Sequence, residues 1–458
     1  MCSEDIATKS TIFPTDDRQV SSFNENGSAI IKVVGVGGGG NNAVNYMYQQ
    51  NIPGVSFVVT NTDRQALEHS SVPDRVLLGP STTRGLGAGN KPEKAKAAAE
   101  ESAEELAELF DEDTKMVFVT AGMGGGTGTG ASPVVARIAR ERGMLTVGIV
   151  TIPFLFEGEK KIIKALEGAD EMGKYVDAML IINNERLTEI YSDLEFDNAF
   201  DKADETLTDA ARSISELINF KGKINLDFED VNTTLKDGGT AIISTGYGEG
   251  ENRVTKAIED ALNSPLLKNR DVQTSKRFLF NLYYSKKSEH PFMMGEANEI
   301  TAFMNNFAKD VDVIWGTSVD DTLGDKVKIT ILASGFDISL SNETTYRPKP
   351  RIFGRPKQEP AATDDSRISE EYGKDKVAER NRQKASANYI LLTPQQMDND
   401  TLINFIEKTP TFRRGSDSRL REEWRTLAES QTEIAEPTHQ APKPAQETGH
   451  GMREIEFD

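Results

Sequence analysis

Apolar residues along the chain fall into two alternating rhythms. From Ala29, short aliphatic runs (AIIKVVGVG at 29–37, VSFVVTNTD at 55–63, MVFVTAG at 116–122, LTVGIVTIP at 145–153, DAMLIINN at 177–184) alternate with stretches of helical spacing: one from Asn42, KAKAAAEESAEELAELF at 94–110 and SPVVARIARERG at 132–143. Strand, helix, strand in that order predicts an α/β fold with a doubly wound, Rossmann-like parallel sheet. Such a sheet offers ligands the loops at the carboxyl ends of its strands. From Phe196 to Phe220 the apolar positions Phe200, Ala203, Leu207, Ala210, Ile214, Leu217 and Ile218 step by threes and fours, which predicts one long amphipathic helix ending near Gly222. Beyond it, GGTAIISTGYGEG, RFLFNLYYS, VDVIWGTSVD and KVKITILASGF are β-rich segments separated by helical patterns, a smaller α+β domain finishing near Phe336.

After Asp337 the pattern fades into polar, charged and proline-containing sequence that cannot bury enough apolar surface to offset its ordering entropy. The chain thus divides into a flexible segment 1–28, the parallel-sheet domain 29–195, the central helix 196–222, the C-terminal domain 223–337 and a disordered tail 338–458. Two patterned stretches in the tail, 388–412 and MREIEFD at 452–458, are candidates for short motifs that order on a partner.

Composition narrows the function. A net charge of -20 argues against a nucleic-acid footprint or a polybasic membrane surface, which need clustered Lys and Arg. With Cys2 the only cysteine, an intrachain disulfide and a multi-thiolate metal site are excluded, and a reducing, cytoplasmic setting is expected. The first residues lack the basic and apolar regions of a signal peptide, and no apolar run reaches the ~18 residues that span a bilayer. Direct membrane insertion is not expected; a partner would supply any anchor.

The candidate chemistry lies in two glycine loops. Gly35-Val-Gly-Gly-Gly-Gly-Asn-Asn42 follows the first strand and formally satisfies the dinucleotide fingerprint at Gly35, Gly37 and Gly40. Tight packing alone also asks for glycine at such a turn. The acidic partner of that fingerprint is represented only by Asp63, which comes late, so a nicotinamide-dependent oxidoreductase is the alternative reading. The second loop, Gly124-Gly-Gly-Thr-Gly-Thr-Gly130, again follows a strand and precedes a helix, with Ser132 expected as N-cap and Pro133 as its first residue. Two helix N-termini in one sheet can bracket a di- or triphosphate from both sides. No G-x-x-x-x-G-K-[ST] occurs, which excludes a P-loop enzyme.

GGGTGTG is the signature of the tubulin/FtsZ family, which this chain resembles from about Ile30 to Phe336 through IKVVGVGGGGNNAVN, NTDRQAL, RGLGAG, AGMGGGTGTGASPVVA, PFLFEGEKK, INLDFEDV and SPLL in order. The resemblance implies a polymerising GTPase of bacterial division, with 29–195 as the GTP-binding domain and 223–337 as the activation (polymerisation) domain. It implies that Gly38, Gly39, Gly40, Asn41, Asn42, Ala88, Gly89, Gly124, Gly125, Gly126, Thr127, Gly128 and Thr129 surround the phosphates, Glu157 and Lys161 reach the ribose and nucleotide, and Asn184, Phe200 and Asp204 hold the base. Lys161 stands where arginine is usual, keeping the charge without the planar fork. A carboxylate at Asp204 accepts from guanine N1–H and N2–H, which adenine does not offer. The implied cofactors are GTP/GDP and Mg2+ carried on the phosphates, with no protein metal-ligand set. The implied partners are further copies of the chain and, through the tail, membrane-tethering and regulatory division proteins. The implied location is the mid-cell ring at the inner face of the membrane.

Hydrolysis also needs an oriented water and charge stabilisation. The matching candidates are Asn225, Asp227 and Asp230 in NLDFED, although acidic residues opening a helix serve equally as caps. They lie some twenty residues after Phe200 and Asp204, about 30 Å away at 1.5 Å per residue. They would therefore act on the nucleotide of a neighbouring subunit in a head-to-tail filament. A relative that binds nucleotide without hydrolysing it is the remaining alternative.

Overall fold

A computed structural model of the chain describes residues 29–190, 196–264, 275–304, 311–336, 364–378 and 380–381, together with 401, 403–404 and 407. The segment 1–28, the motif SPLL beyond Ser264, the tail stretch 452–458 and almost all of 388–412 lie outside the described residues.

The first part is built from β1 (Ile31–Val36), α1 (Gly37–Gln49), β2 (Val55–Asn61), α2 (Arg64–Glu68), β3 (Asp74–Leu77), α3 (Pro80–Thr83), α4 (Pro92–Glu101), α5 (Ala103–Glu108), β4 (Met116–Gly122), α6 (Thr127–Glu141), β5 (Leu145–Ile152), α7 (Glu159–Gly173), β6 (Ala178–Asn183) and α8 (Asn184–Ile190). The central helix is α9 (Phe196–Asn219), followed by α10 (Phe228–Leu235), β7 (Gly239–Gly248), α11 (Arg253–Leu262), β8 (Arg277–Tyr284), α12 (Ala297–Met304), β9 (Asp312–Val319) and β10 (Val327–Phe336). All ten strands join one sheet in the order β3-β2-β1-β4-β5-β6-β7-β10-β8-β9. The parallel half and the mixed C-terminal half meet at a narrow seam, where β6 pairs with β7 only through Ala178↔Gly239 and Met179↔Thr240.

Helix α9 crosses that seam. Its predicted stripe is buried from Ala203 through Leu207, Ala210, Ile214, Leu217 and Ile218, and it packs with residues from both halves of the sheet, including Val147, Leu180, Ala241, Leu279 and Leu332. Its direction follows from its two ends: Phe200 meets Phe154, just beyond the carboxyl end of β5, whereas Ser215 and Asn219 donate to the carbonyl of Pro53, before β2 begins. It therefore runs from the carboxyl edge of the parallel strands to their amino edge. Helix α9 stops at Asn219, short of the expected Gly222. A side chain at Gly222 would strike the Thr317 carbonyl, where the chain crosses β9.

Three further helix boundaries differ from expectation. Helix α1 starts at Gly37, directly after β1, and α6 starts at Thr127, so Ser132 is no N-cap and Pro133 lies inside the helix. The glycines permit both early starts because they carry no Cβ to meet the strand behind: at Gly40 it would lie 2.3 Å from the Thr120 carbonyl, and at Gly128 2.4 Å from that of Gly122. The single helix expected at 94–110 breaks at Ser102, whose hydroxyl accepts from the Gly79 N–H and donates to the Leu77 carbonyl.

A second compact unit begins at Asp365. It corrects the expectation of a wholly disordered tail, since α13 (Asp364–Tyr372) is helical. Ile368 and Tyr372 are buried on one face, and Gly373 at φ +88° ends it.

Candidate functional site

The strand order reverses between β1 and β4: successive strands run outward from that pair in opposite directions, which opens a crevice at their carboxyl ends. Helices α1 and α6 begin at this crevice, side by side. Gly37 has φ +75°, and a Cβ on it would lie 2.7 Å from the nitrogen of Gly128. Neither Val36 nor Gly126, the two N-caps, offers a capping side chain, so first-turn N–H groups of both helices lack intrahelical partners. Two positive dipole ends meeting in one crevice form an anion site without a lysine in the loop.

Within it the predicted residues take different parts. Gly38 and Gly39 are exposed, and Gly38 and Gly125 face open space. Gly40 and Gly128 are close-packing positions. Asn41 is buried; with its amide nitrogen turned toward the carbonyls it donates to Gly35 at 3.0 Å and to Gly37 and Thr60 at 3.2 Å, so it holds the first loop, while Asn42 is exposed. In the second loop the Thr129 hydroxyl accepts from the Gly124 N–H at 2.8 Å and is buried, and Thr127 shares a 2.7 Å hydroxyl contact with Thr62. The 85–91 loop closes one side: Ala88 and Asn90 stand 3.1 Å from where a Cβ of Gly126 would be, and Gly89, at φ +62°, faces open space. On the other side Gly124, at φ +97°, abuts Lys161. The Lys161 ammonium pairs with Glu157 at 2.5 Å, and Glu157 also accepts from the Phe154 N–H at 2.8 Å.

Farther along the carboxyl edge lies an aromatic and carboxylate end. Phe200 meets Phe154 edge-on at 5.2 Å between ring centroids, and Phe156, 61% exposed, stacks on Phe154. Phe154 and Phe156 escaped the sequence reading, although PFLFEG carried the signal in its paired aromatics. Asn184 opens α8 directly after β6, and its buried Oδ1 has no hydrogen-bond partner among the described residues. Asp204 sits on α9, which packs against α8. Burial, and secondarily the charge of Asp201, push its carboxyl up to about 7. A buried acceptor without a donor and a carboxylate starved of solvation are what a ligand rich in N–H donors relieves. Guanine is such a ligand.

Asp63, the acid of the oxidoreductase alternative, is spent locally: it caps α2 by accepting from the N–H groups of Gln65 and Ala66.

The three hydrolytic candidates lie elsewhere, before and at the start of α10. Asn225 accepts from the Gly222 N–H at 2.8 Å. Asp227 and Asp230 form a reciprocal capping box, each carboxylate accepting the other's backbone N–H at 3.1 and 2.9 Å. One oxygen of each suffices for the cap. Asp227 is exposed and Asp230 half-buried, so the other oxygens are available to a neighbour.

Comparison with known proteins gives the family. The family model described as Tubulin/FtsZ family, GTPase domain, matches residues 30–192, and the FtsZ family, C-terminal domain, matches 239–337. A cell division protein FtsZ from Porphyromonas gingivalis is 51% identical over 396 residues, covering 84% of this chain and 85% of that protein. Another from Buchnera aphidicola is 41% identical over 325 residues, 70% of this chain and 83% of that protein. A solved FtsZ dimer from M. jannaschii superposes with a TM-score of 0.62 at 37% identity, covering 73% of this chain and 96% of that one. The chain belongs to the tubulin/FtsZ family of GTPases, among its FtsZ members.

Proposed function

We propose that this GTPase assembles head to tail into the filaments of a division ring, and that each GTP is hydrolysed between two subunits. The observation that carries this reading is the run of α9. From Phe200 to its end at Asn219 it rises roughly 29 Å at 1.5 Å per residue, and from Asp204 roughly 22 Å, toward the edge of the sheet where Asn219 meets Pro53, and NLDFED follows it in the chain. Asn225, Asp227 and Asp230 are beyond reach of the crevice in their own chain and within reach of one in a stacked neighbour. Such a heterologous contact propagates rather than closing on itself.

In each pocket the amides of the two loops hold the phosphates, Asn184, Phe200 and Asp204 select guanine, and Glu157 with Lys161 borders the ribose side. Mg2+ supplied with the triphosphate neutralises its charge. The neighbour's Asp227 and Asp230 orient the attacking water, and its Asn225 fixes their geometry. Membrane-tethering and regulatory division proteins dock on the tail 338–458, which holds the ring at the inner face of the membrane at mid-cell. No helix among the described residues is long and apolar enough to cross a bilayer.

The test is the concentration dependence of turnover. Phosphate release per subunit should be near zero in dilute protein and rise above a threshold concentration, together with sedimentable polymer. Turnover per subunit that is constant across the threshold would overturn the shared site.

A further inference from the structure

One buried carboxylate takes no part in the site described above. Asp177 precedes β6, its side chain is 0% exposed, and it lies at the seam between the two halves of the sheet. Its Oδ2 accepts from the Thr146 N–H of β5 at 2.9 Å, and its own backbone joins Thr146 on one side and Gly239 of β7 on the other. Its Oδ1 faces two cations. Lys236 Nζ stands 2.9 Å away, an ion pair by distance without hydrogen-bond geometry, and Arg140 Nη2 stands 3.8 Å away. Arg140 also binds Asp237 at 2.9 Å and the carbonyl of Lys174 at 3.3 Å.

The two cations come from particular helices. Arg140 is in the last turn of α6, the helix whose first turn forms the second glycine loop. Lys236 is the C-cap of α10, the helix opened by the Asp227–Asp230 box. The carboxylate is thus a shared anchor for the far ends of the phosphate-binding helix and the acid-bearing helix. The carbonyl of Lys236 is held by Arg277 of β8, and that of Thr234 by Ser334 of β10, so the C-terminal end of α10 is fixed on several sides while its N-terminal end projects. A rigid helix of eight residues anchored at one end transmits any tilt of that end to the other.

We propose that Asp177 is a positioning residue for hydrolysis: through Lys236 it fixes the direction in which α10 presents Asp227 and Asp230 to the adjacent subunit, and through Arg140 it ties that direction to α6. The proposal rests on the shared-site reading above. Asp177 acts only through these two cations.

The experiment uses the full chain. Asp177→Asn keeps the volume and the acceptor for Thr146 but removes the charge that holds Lys236. It should leave GDP affinity within about twofold and lower turnover per assembled subunit on the order of 10- to 100-fold, the scale on which misplacing a catalytic group by about 1 Å acts. Lys236→Met should reproduce the loss and Lys236→Arg should avoid it, so the proposal stays testable if the asparagine variant folds poorly. Subunit mixing then separates positioning from damage to the pocket. A chain with Asp177→Asn has a sound pocket and a misdirected α10; a chain with Asp204→Ala has the reverse. Mixed, they should hydrolyse GTP faster than the sum of the two alone. The control pair is Asp230→Ala with Asp204→Ala. If the control fails to recover, the shared-site reading itself is wrong; if the control recovers and the Asp177→Asn pair does not, or if Asp177→Asn turns over normally, the positioning role is overturned.

Discussion

The carboxyl of Asp204, pushed up to about 7 by burial, makes guanine recognition sensitive to pH in a way that can be worked out beforehand. Only the ionised carboxylate accepts from both guanine N–H groups, and those donors favour the charged form, so the group's pKa falls when the base binds. Binding therefore releases a proton below neutrality, and affinity rises with pH. With a free-state value of about 7, roughly one molecule in eleven is ionised at pH 6, so apparent affinity there is about tenfold below its plateau above pH 8. The nucleotide's own phosphates titrate near pH 6 and contribute a second slope. Dividing the wild-type affinity by that of Asp204→Asn at each pH removes it, because the variant has the same phosphates and no titrating group. The assay is equilibrium titration with a fluorescent guanosine diphosphate between pH 5.5 and 8.5. The ratio should climb about tenfold from pH 6 to its plateau; a flat ratio would refute the reasoning, since it would mean that Asp204 is already ionised in the empty pocket or does not face the base. The same shift acts on folding with the opposite sense. A carboxyl raised above its unfolded value of 3.8 contributes stability below about pH 4 that is lost as pH climbs through about 7. The empty wild-type protein should therefore lose thermal stability relative to Asp204→Asn over that window, and saturating GDP should reduce the difference.

Substitutions at four positions probe other parts of the site. Gly40→Ala would put a methyl 2.3 Å from the Thr120 carbonyl and should lower stability by about 1–3 kcal/mol in a denaturation experiment, whereas Gly38→Ala meets nothing within 4 Å and should leave stability unchanged while weakening nucleotide binding. Asp230→Asn keeps an oxygen to accept from the Asp227 N–H, so the melting temperature should hold while turnover falls, and Asp230→Ala should lose about 1 kcal/mol of capping as well; if the asparagine variant turns over normally, the acid is a cap and nothing more. Phe200→Ala removes the ring that meets Phe154 and should weaken guanine nucleotides without changing the pH slope set by Asp204, both read from the same titration.

Much of this architecture was legible because it rests on local rules. The strand and helix rhythm placed the parallel sheet, and the stripe from Ala203 to Ile218 placed the spine, since burial of one helical face demands that spacing. Glycine was read less well because one residue type serves two physical purposes. Gly40 and Gly128 are required by the backbone behind them, Gly38 and Gly125 face open space, and nothing in GGGG or GGGTGTG separates the two uses. The same confusion delayed the expected starts of α1 and α6, which glycine allows to begin against the strand. Asp227 and Asp230 are caps in the structure, one oxygen of each carboxylate accepting the other's N–H, and the second oxygen of each stays outside the cap.

The Asp177 anchor was beyond sequence reasoning for a different reason. Arg140, Asp177 and Lys236 belong to three elements with no shared period and no motif, and they meet only because β6 and β7 join at a seam two residues long. A narrow seam leaves the two halves of the sheet few backbone bonds in common, so side chains and α9 must carry whatever coupling exists between phosphate binding in one half and the acids of the other. A carboxylate buried at that seam, with one partly exposed cation from each half, is where such coupling can be physically located, because a carboxylate cut off from solvent is penalised when a cation moves away from it. If filament assembly changes the angle between the halves, Lys236 must either follow Asp177 or leave it to Arg140 alone, and α10 turns with Lys236.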